Sequence, residues 1–100
     1  MTQRPFLSET YVEETRIGFR FLSSHTWQHH VLRVAIDDLA RLFAGALPQA
    51  PVLLDAGCGQ GKSFKHLQRV FAPSRLLGTD ADPHSLDLSA AEAKRLGIEV

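Results

Sequence analysis

A chain of 100 residues with 11 basic and 11 acidic side chains has room for one small domain and carries no net charge. Its 44% hydrophobic and 22% charged content excludes a disordered or fibrous chain, and the interspersed charges give no strong nucleic-acid signal. Cys58 stands alone, which excludes an internal disulfide and a cysteine zinc site; no apolar run suits a signal peptide or a bilayer span, so the expectation is a cytoplasmic protein with no membrane partner.

In chain order, Glu9 to Phe21 reads as a short helix, weakened by Gly18 and by Phe19 and Phe21. A longer helix is predicted from about Thr26 to Ala44. Leu32, Ile36, Leu39 and Phe43 form its apolar stripe, while Arg33, Asp37 and Arg41 stand four apart and are placed to pair. Ser24 or Thr26 suits its start and Gly45 its stop. Pro48 and Pro51 then break the pattern, because each fixes φ and lacks an amide donor. The chain is therefore divided into a helical cap segment, residues 1–47, and a second part, residues 48–100.

After the break, Val52-Leu53-Leu54 reads as a strand buried on both faces. A glycine loop, Gly57 to Gly61, leads into a helix from about Lys62 to Phe71 with Phe64, Leu67, Val70 and Phe71 inward. Leu76 to Thr79 reads as a second strand. Asp82 and Pro83 open another helix, since aspartate caps free amides and proline fits the first helical position. Leu86, Ala90, Ala93 and Leu96 are assigned to its inner face, with Gly97 as its stop. Ile98-Glu99-Val100 reads as the beginning of a third strand, which suggests the front part of a longer protein. The alternation predicts an α/β fold with a parallel sheet of the doubly wound kind.

The segment Asp55-Ala56-Gly57-Cys58-Gly59-Gln60-Gly61-Lys62-Ser63 carries the functional signal. The dinucleotide fingerprint G-x-G-x-x-G fails, because Lys62 stands where its third glycine belongs. The phosphate loop G-x-x-x-x-G-K-[ST] fits if Ala56 replaces the first glycine, with Lys62 on phosphate, Ser63 on magnesium and Asp80 as a metal-binding acid. The pattern D-x-G-x-G-x-G is met at all four positions by Asp55, Gly57, Gly59 and Gly61.

That last pattern resembles the first motif of class I S-adenosylmethionine-dependent methyltransferases. Gly78-Thr79-Asp80-Ala81-Asp82-Pro83 resembles the end of the family's second strand, and Asp80 lies about twenty residues beyond the loop, near the spacing of ribose-binding acids. The resemblance spans Val52 to Val100. It implies a Rossmann-like sheet, S-adenosylmethionine as cofactor, and cofactor contacts from Asp55, Ala56, Gly57, Cys58, Gly59, Gly61, Asp80 and Ala81. Asp55 would hold the methionine amino group and Asp80 the ribose hydroxyls, which an ionised acid accepts well. A phosphate in the same loop would meet Asp55 as a like charge.

The acceptor is expected to be a small molecule, with no metal site and no assigned catalytic residue. Tyr11, Trp27, His29 and His30 are candidates to cover cofactor and substrate. Of the remaining polar residues, Asp82 is read as a helix cap, Cys58 as a buried filler, Lys62 and Lys65 as solvated charges, Ser63 as surface polar, and His66 and His84 as exposed. The alternatives are a phosphate-loop nucleotide-binding protein, an aminopropyltransferase-like enzyme and a non-catalytic cofactor-binding module.

Overall fold

The structure is a computed structural model and describes residues 15–100. Its regular elements are α1 (Arg16–Leu22), a π-helical segment (Thr26–Leu32) running directly into α2 (Arg33–Leu42), β1 (Val52–Ala56), α3 (Phe64–Phe71), β2 (Arg75–Thr79) and α4 (Pro83–Leu96). β1 and β2 pair in parallel, from Val52 opposite Arg75 to Ala56 opposite Thr79. Such a pairing needs a crossover, which α3 supplies. The chain is thus an α/β fold with a two-stranded parallel sheet among its described residues. None of the described helices is long and apolar enough to cross a membrane.

Phe64 is the centre of the packing. It is fully buried, in a cluster with Cys58, Leu76 and Ala93, and Leu53, Leu67 and Leu96 close around it. Gly78 lets strand β2 approach this ring: a Cβ there would stand 3.1 Å from both Cys58 Sγ and Phe64 Cζ. Burial of a side chain this size makes Phe64→Ala a loss of about 3–5 kcal/mol.

The single helix predicted over Thr26 to Ala44 is two segments, and the first is π-helical. The Ser24 hydroxyl accepts from the Trp27 amide at 3.2 Å, so Ser24 takes the capping role predicted for Ser24 or Thr26. Asp37 pairs with Arg33 at 3.3 Å and with Arg69 of α3 at 3.1 Å, whereas Arg41 turns to Asp38 at 3.0 Å. Asp37 thereby ties α2 to α3, and the Arg69 hydrogen bond holds its carboxyl below the usual range.

Three further expectations change. Val52 and Leu54 are 64% and 61% exposed, so one face of β1 is open where burial on both faces was predicted. The apolar run reports what the strand is suited to cover; no described element lies over that face. On α4 the buried face is Ser85, Ser89, Glu92 and Ala93, while Leu86 and Ala90 are exposed. The helix turns its small side chains to the glycine loop because the backbone there comes too close for leucine. Residues 98–100 form no strand; α4 ends at Leu96, with Gly97 in the left-handed conformation at φ 69°.

Candidate functional site

The glycine loop is held at the carboxyl ends of both strands, the edge where parallel sheets present ligands. The Cys58 amide donates to the Thr79 carbonyl at 2.8 Å, and the Gly61 amide to the Cys58 carbonyl at 3.0 Å. The Asp80 carboxylate completes the clamp. Its Oδ2 accepts from the Gly59 amide at 2.8 Å and its Oδ1 from the Asp82 amide at 2.9 Å. Each oxygen retains a second lone pair.

The three loop glycines have different work. All have positive φ: 73° at Gly57, 55° at Gly59 and 77° at Gly61. A Cβ added at Gly57 or Gly59 would meet nothing within 4 Å, so the backbone there borders open space. A Cβ at Gly61 would stand 2.7 Å from the Phe64 ring and 3.0 Å from Ser89 Cα. Gly61 lets α4 and Phe64 close beneath the loop; Gly57 and Gly59 leave the cradle above it clear.

Asp55 accepts a short hydrogen bond from the Ser63 hydroxyl. Ser63 is therefore buried and not the surface residue predicted. Burial pushes the Asp55 carboxyl above the usual carboxylate range; the Ser63 bond pulls it down and the nearby Asp80 charge adds to the rise. Among the described residues, no ion pair involves Asp55 or Asp80. Two carboxylates beside a clear glycine cradle, with no cation paired to either, favour a ligand bearing positive charge and hydroxyl donors. They disfavour a polyphosphate.

Lys62, the residue a phosphate loop requires, is committed elsewhere. Its Nζ pairs with Glu92 at 3.2 Å, and Arg95 donates to the other Glu92 oxygen at 2.6 Å. The Arg95 hydrogen bond, ahead of the contribution from Lys62, lowers the Glu92 carboxyl from its ordinary value although the residue is buried. Lys62 is thus an anchor for α4 and not the solvated charge predicted. Cys58 is buried, as its reading as a filler requires, and burial pushes its thiol up. Asp82 caps α4, accepting from the His84 amide at 3.2 Å and the Ser85 hydroxyl at 2.9 Å.

A cavity of about 160 Å³ lies over the loop. Asp55, Gly57, Cys58, Gly59, Gln60, Lys62 and Ser63 line it from the loop side, and Leu22, Trp27 and Leu32 from the helices before the break. Of the covering residues predicted, Trp27 alone among the described ones reaches this cavity, with its ring 5.9 Å from that of Phe21. His29 lines a different cavity, and His30 is exposed. Tyr11 lies outside the described residues. His66, read as exposed, is buried. Sequence reasoning missed Leu22 and Leu32 as cavity-lining residues, because their apolar character signalled only core. No group of three His, Cys, Asp or Glu side chains among the described residues is arranged to hold a metal ion.

Comparison with known proteins adds one relative. Over 71 residues the chain is 38% identical to the ribosomal RNA small subunit methyltransferase H of Kocuria rhizophila, a match covering 70% of this chain and 21% of that protein. The match thus takes in about a fifth of the relative's length. No family model matches, and no solved structure matches. The chain is similar to a methyltransferase. The relative named in this match acts on ribosomal RNA, which overturns the expectation of a small-molecule acceptor with no strong nucleic-acid signal. The missing nucleic-acid signal rested on zero net charge and on charges mixed along the sequence, neither of which reports how charge is distributed over the folded surface.

Proposed function

We propose that this chain is the cofactor-binding part of a class I, Rossmann-like methyltransferase that uses S-adenosylmethionine and acts in the cytoplasm on RNA. The observation that carries this reading is the cradle at Gly57 and Gly59, flanked by Asp55 and Asp80 with no cation paired to either carboxylate. S-adenosylmethionine supplies an activated methyl group on a sulfonium, together with an ammonium and a ribose diol. The residues present fit it: Asp55 for the ammonium, Asp80 for the diol through its remaining lone pairs, and the backbone of Ala56, Gly57, Cys58 and Gly59 along the ligand. Gly61 supports the loop from below, and Ala81 follows Asp80 at the sheet edge. Asp80, already fixed by two amides, needs little reorganisation on binding.

Residues 1–47 act in this reading as a cap, with Trp27 excluding water above the loop, and residues 48–100 as the first part of the cofactor domain. Alignment and desolvation are the contributions such a cap makes to methyl transfer. The RNA acceptor rests on the similarity to the Kocuria rhizophila enzyme.

Calorimetry of the intact protein tests the reading. Binding of S-adenosylmethionine and S-adenosylhomocysteine, with none of ATP and magnesium, is the expected result. Magnesium-dependent ATP binding without either adenosyl ligand would return the phosphate loop to first place. Transfer of a labelled methyl group to RNA tests the acceptor; labelling of small metabolites with none of RNA would overturn it.

A further inference from the structure

The cavity over the glycine loop is small for a whole cofactor. Its volume of about 160 Å³ is below the ~300–1,000 Å³ of sites that enclose a complete small molecule. It therefore seats one part of a ligand. The lining says which part, because Asp55 borders the cavity and Asp80 does not. In the methyltransferase reading Asp55 takes the ammonium and Asp80 the ribose diol. A cavity that includes the first acid without the second takes the amino-acid end of the ligand, together with the sulfonium joined to it by a short carbon chain.

The helices contribute Leu22, Trp27 and Leu32 to its wall. Leu22 and Leu32 displace water and offer a cation no electrostatic partner. The indole does, since the face of an aromatic ring is negative and attracts a cation. The lining cation, Lys62, has its ammonium drawn to Glu92 at 3.2 Å. Trp27 is half-buried and braced in place. It is the second residue of the π-helical segment Thr26–Leu32, a conformation that recurs at functional sites. Its amide donates to the Ser24 hydroxyl at 3.2 Å, and the Ser24 amide to the Phe21 carbonyl at 2.9 Å. The Phe21 ring packs against the indole, tilted by 56°.

We infer that the Trp27 indole face meets the sulfonium of S-adenosylmethionine while Asp55 takes the ammonium, and that this ring gives the site its preference for the charged cofactor over the neutral product. The inference rests on the S-adenosylmethionine reading above and adds to it a residue that distinguishes the two ligands. Loss of the methyl group leaves a thioether, with the bonding pair on sulfur. The attraction to the ring ends with the charge, so the product is held less tightly than the cofactor.

The test is calorimetry of the intact protein with S-adenosylmethionine and S-adenosylhomocysteine, in the wild type, Trp27→Leu and Trp27→Phe. Trp27→Leu keeps an apolar side chain and removes the ring. It is expected to weaken S-adenosylmethionine about tenfold, as for loss of a desolvated cation–π contact, and S-adenosylhomocysteine by less than about threefold. Trp27→Phe, with a weaker ring face, should fall between the wild type and Trp27→Leu. Trp27 is the sole tryptophan of the chain, so its fluorescence reads the contact without any variant. S-adenosylmethionine should change the emission, and S-adenosylhomocysteine should change it less. Equal weakening of both ligands in Trp27→Leu overturns the role in charge recognition and leaves Trp27 a plain apolar cover. Unchanged affinity for both, or emission unmoved by saturating S-adenosylmethionine, overturns the contact and leaves the methyl-transfer reading standing. Wild-type protein that binds neither ligand overturns that reading and this inference together.

Discussion

The Asp80 carboxylate accepts the Gly59 amide at 2.8 Å across 21 residues of sequence. The acid after the second strand therefore holds the glycine loop in shape before any ligand arrives. Binding and stability are coupled at this one side chain. Asp80→Ala is expected to weaken S-adenosylhomocysteine binding by about 1.5–3 kcal/mol, the worth of hydrogen bonds to a charged group. It should also lower the melting temperature, since two amides lose their acceptor. Asp82→Ala, which removes only a helix cap, should cost about 1 kcal/mol of stability and leave affinity unchanged. Calorimetry and thermal melts of both variants check this; loss of affinity in Asp82→Ala alone would reverse the roles.

Gly57 and Gly61 separate in the same pair of measurements. Gly57→Val places a side chain in the open cradle, at a backbone angle that costs about 1–2 kcal/mol for an L-residue. The protein should fold and fail to bind S-adenosylmethionine. Gly61→Ala instead drives a methyl group into Phe64 and the backbone of Ser89. Overpacking adds about 1–3 kcal/mol to the backbone strain, so the melt should fall further than for Gly57→Val. A Gly57→Val protein that binds as tightly as the wild type would remove the loop from the site.

Lys62→Ala is predicted to act on stability. Glu92 keeps Arg95 but loses its second, more deeply placed partner. The loss should be about 1–2 kcal/mol, between an exposed and a fully buried pair. Affinity for S-adenosylhomocysteine should stay within about threefold, because Lys62 borders the cavity but its ammonium is already paired with Glu92. ATP hydrolysis that needed Lys62 would contradict both statements. The lowered Glu92 carboxyl contributes stability that is present above the unfolded-state value and lost as pH falls through the folded one.

Asp55 has the opposite pH signature. Its carboxyl is raised in the folded chain, chiefly by burial, so the native state binds the proton more tightly than the unfolded state does. Its favourable share is full below the unfolded value, about pH 4, and is lost as pH rises through the folded one. Asp55→Asn should therefore melt higher than the wild type at neutral pH, with the difference vanishing in acid. The same variant should bind S-adenosylmethionine more weakly, because the ammonium loses its counter-charge. A variant that melts lower at neutral pH would show that the Asp55 charge is stabilising after all.

The local facts were legible in the sequence because short-range chemistry decides them. Alternating glycines after an apolar run specify a strand that ends in a turn of positive φ, and Asp82 before Pro83 specifies a helix start. Those assignments need only residues within a few positions of one another. Tertiary structure decided which polar groups meet across the fold. Ser63 and His66 look like surface residues until α3 packs. Lys62 looks solvated until α4 brings Glu92 to 3.2 Å, and Asp80 shows no bond to Gly59 until β2 aligns with β1. The inner face of α4 went to Ser85, Ser89 and Glu92 and not to its leucines, because Gly61 lets Ser89 Cα of α4 come within 3.0 Å of where a Cβ on the loop would stand. Periodicity ranks faces by apolarity alone; close approach and ion pairing, which depend on residues about thirty positions away, chose a different one.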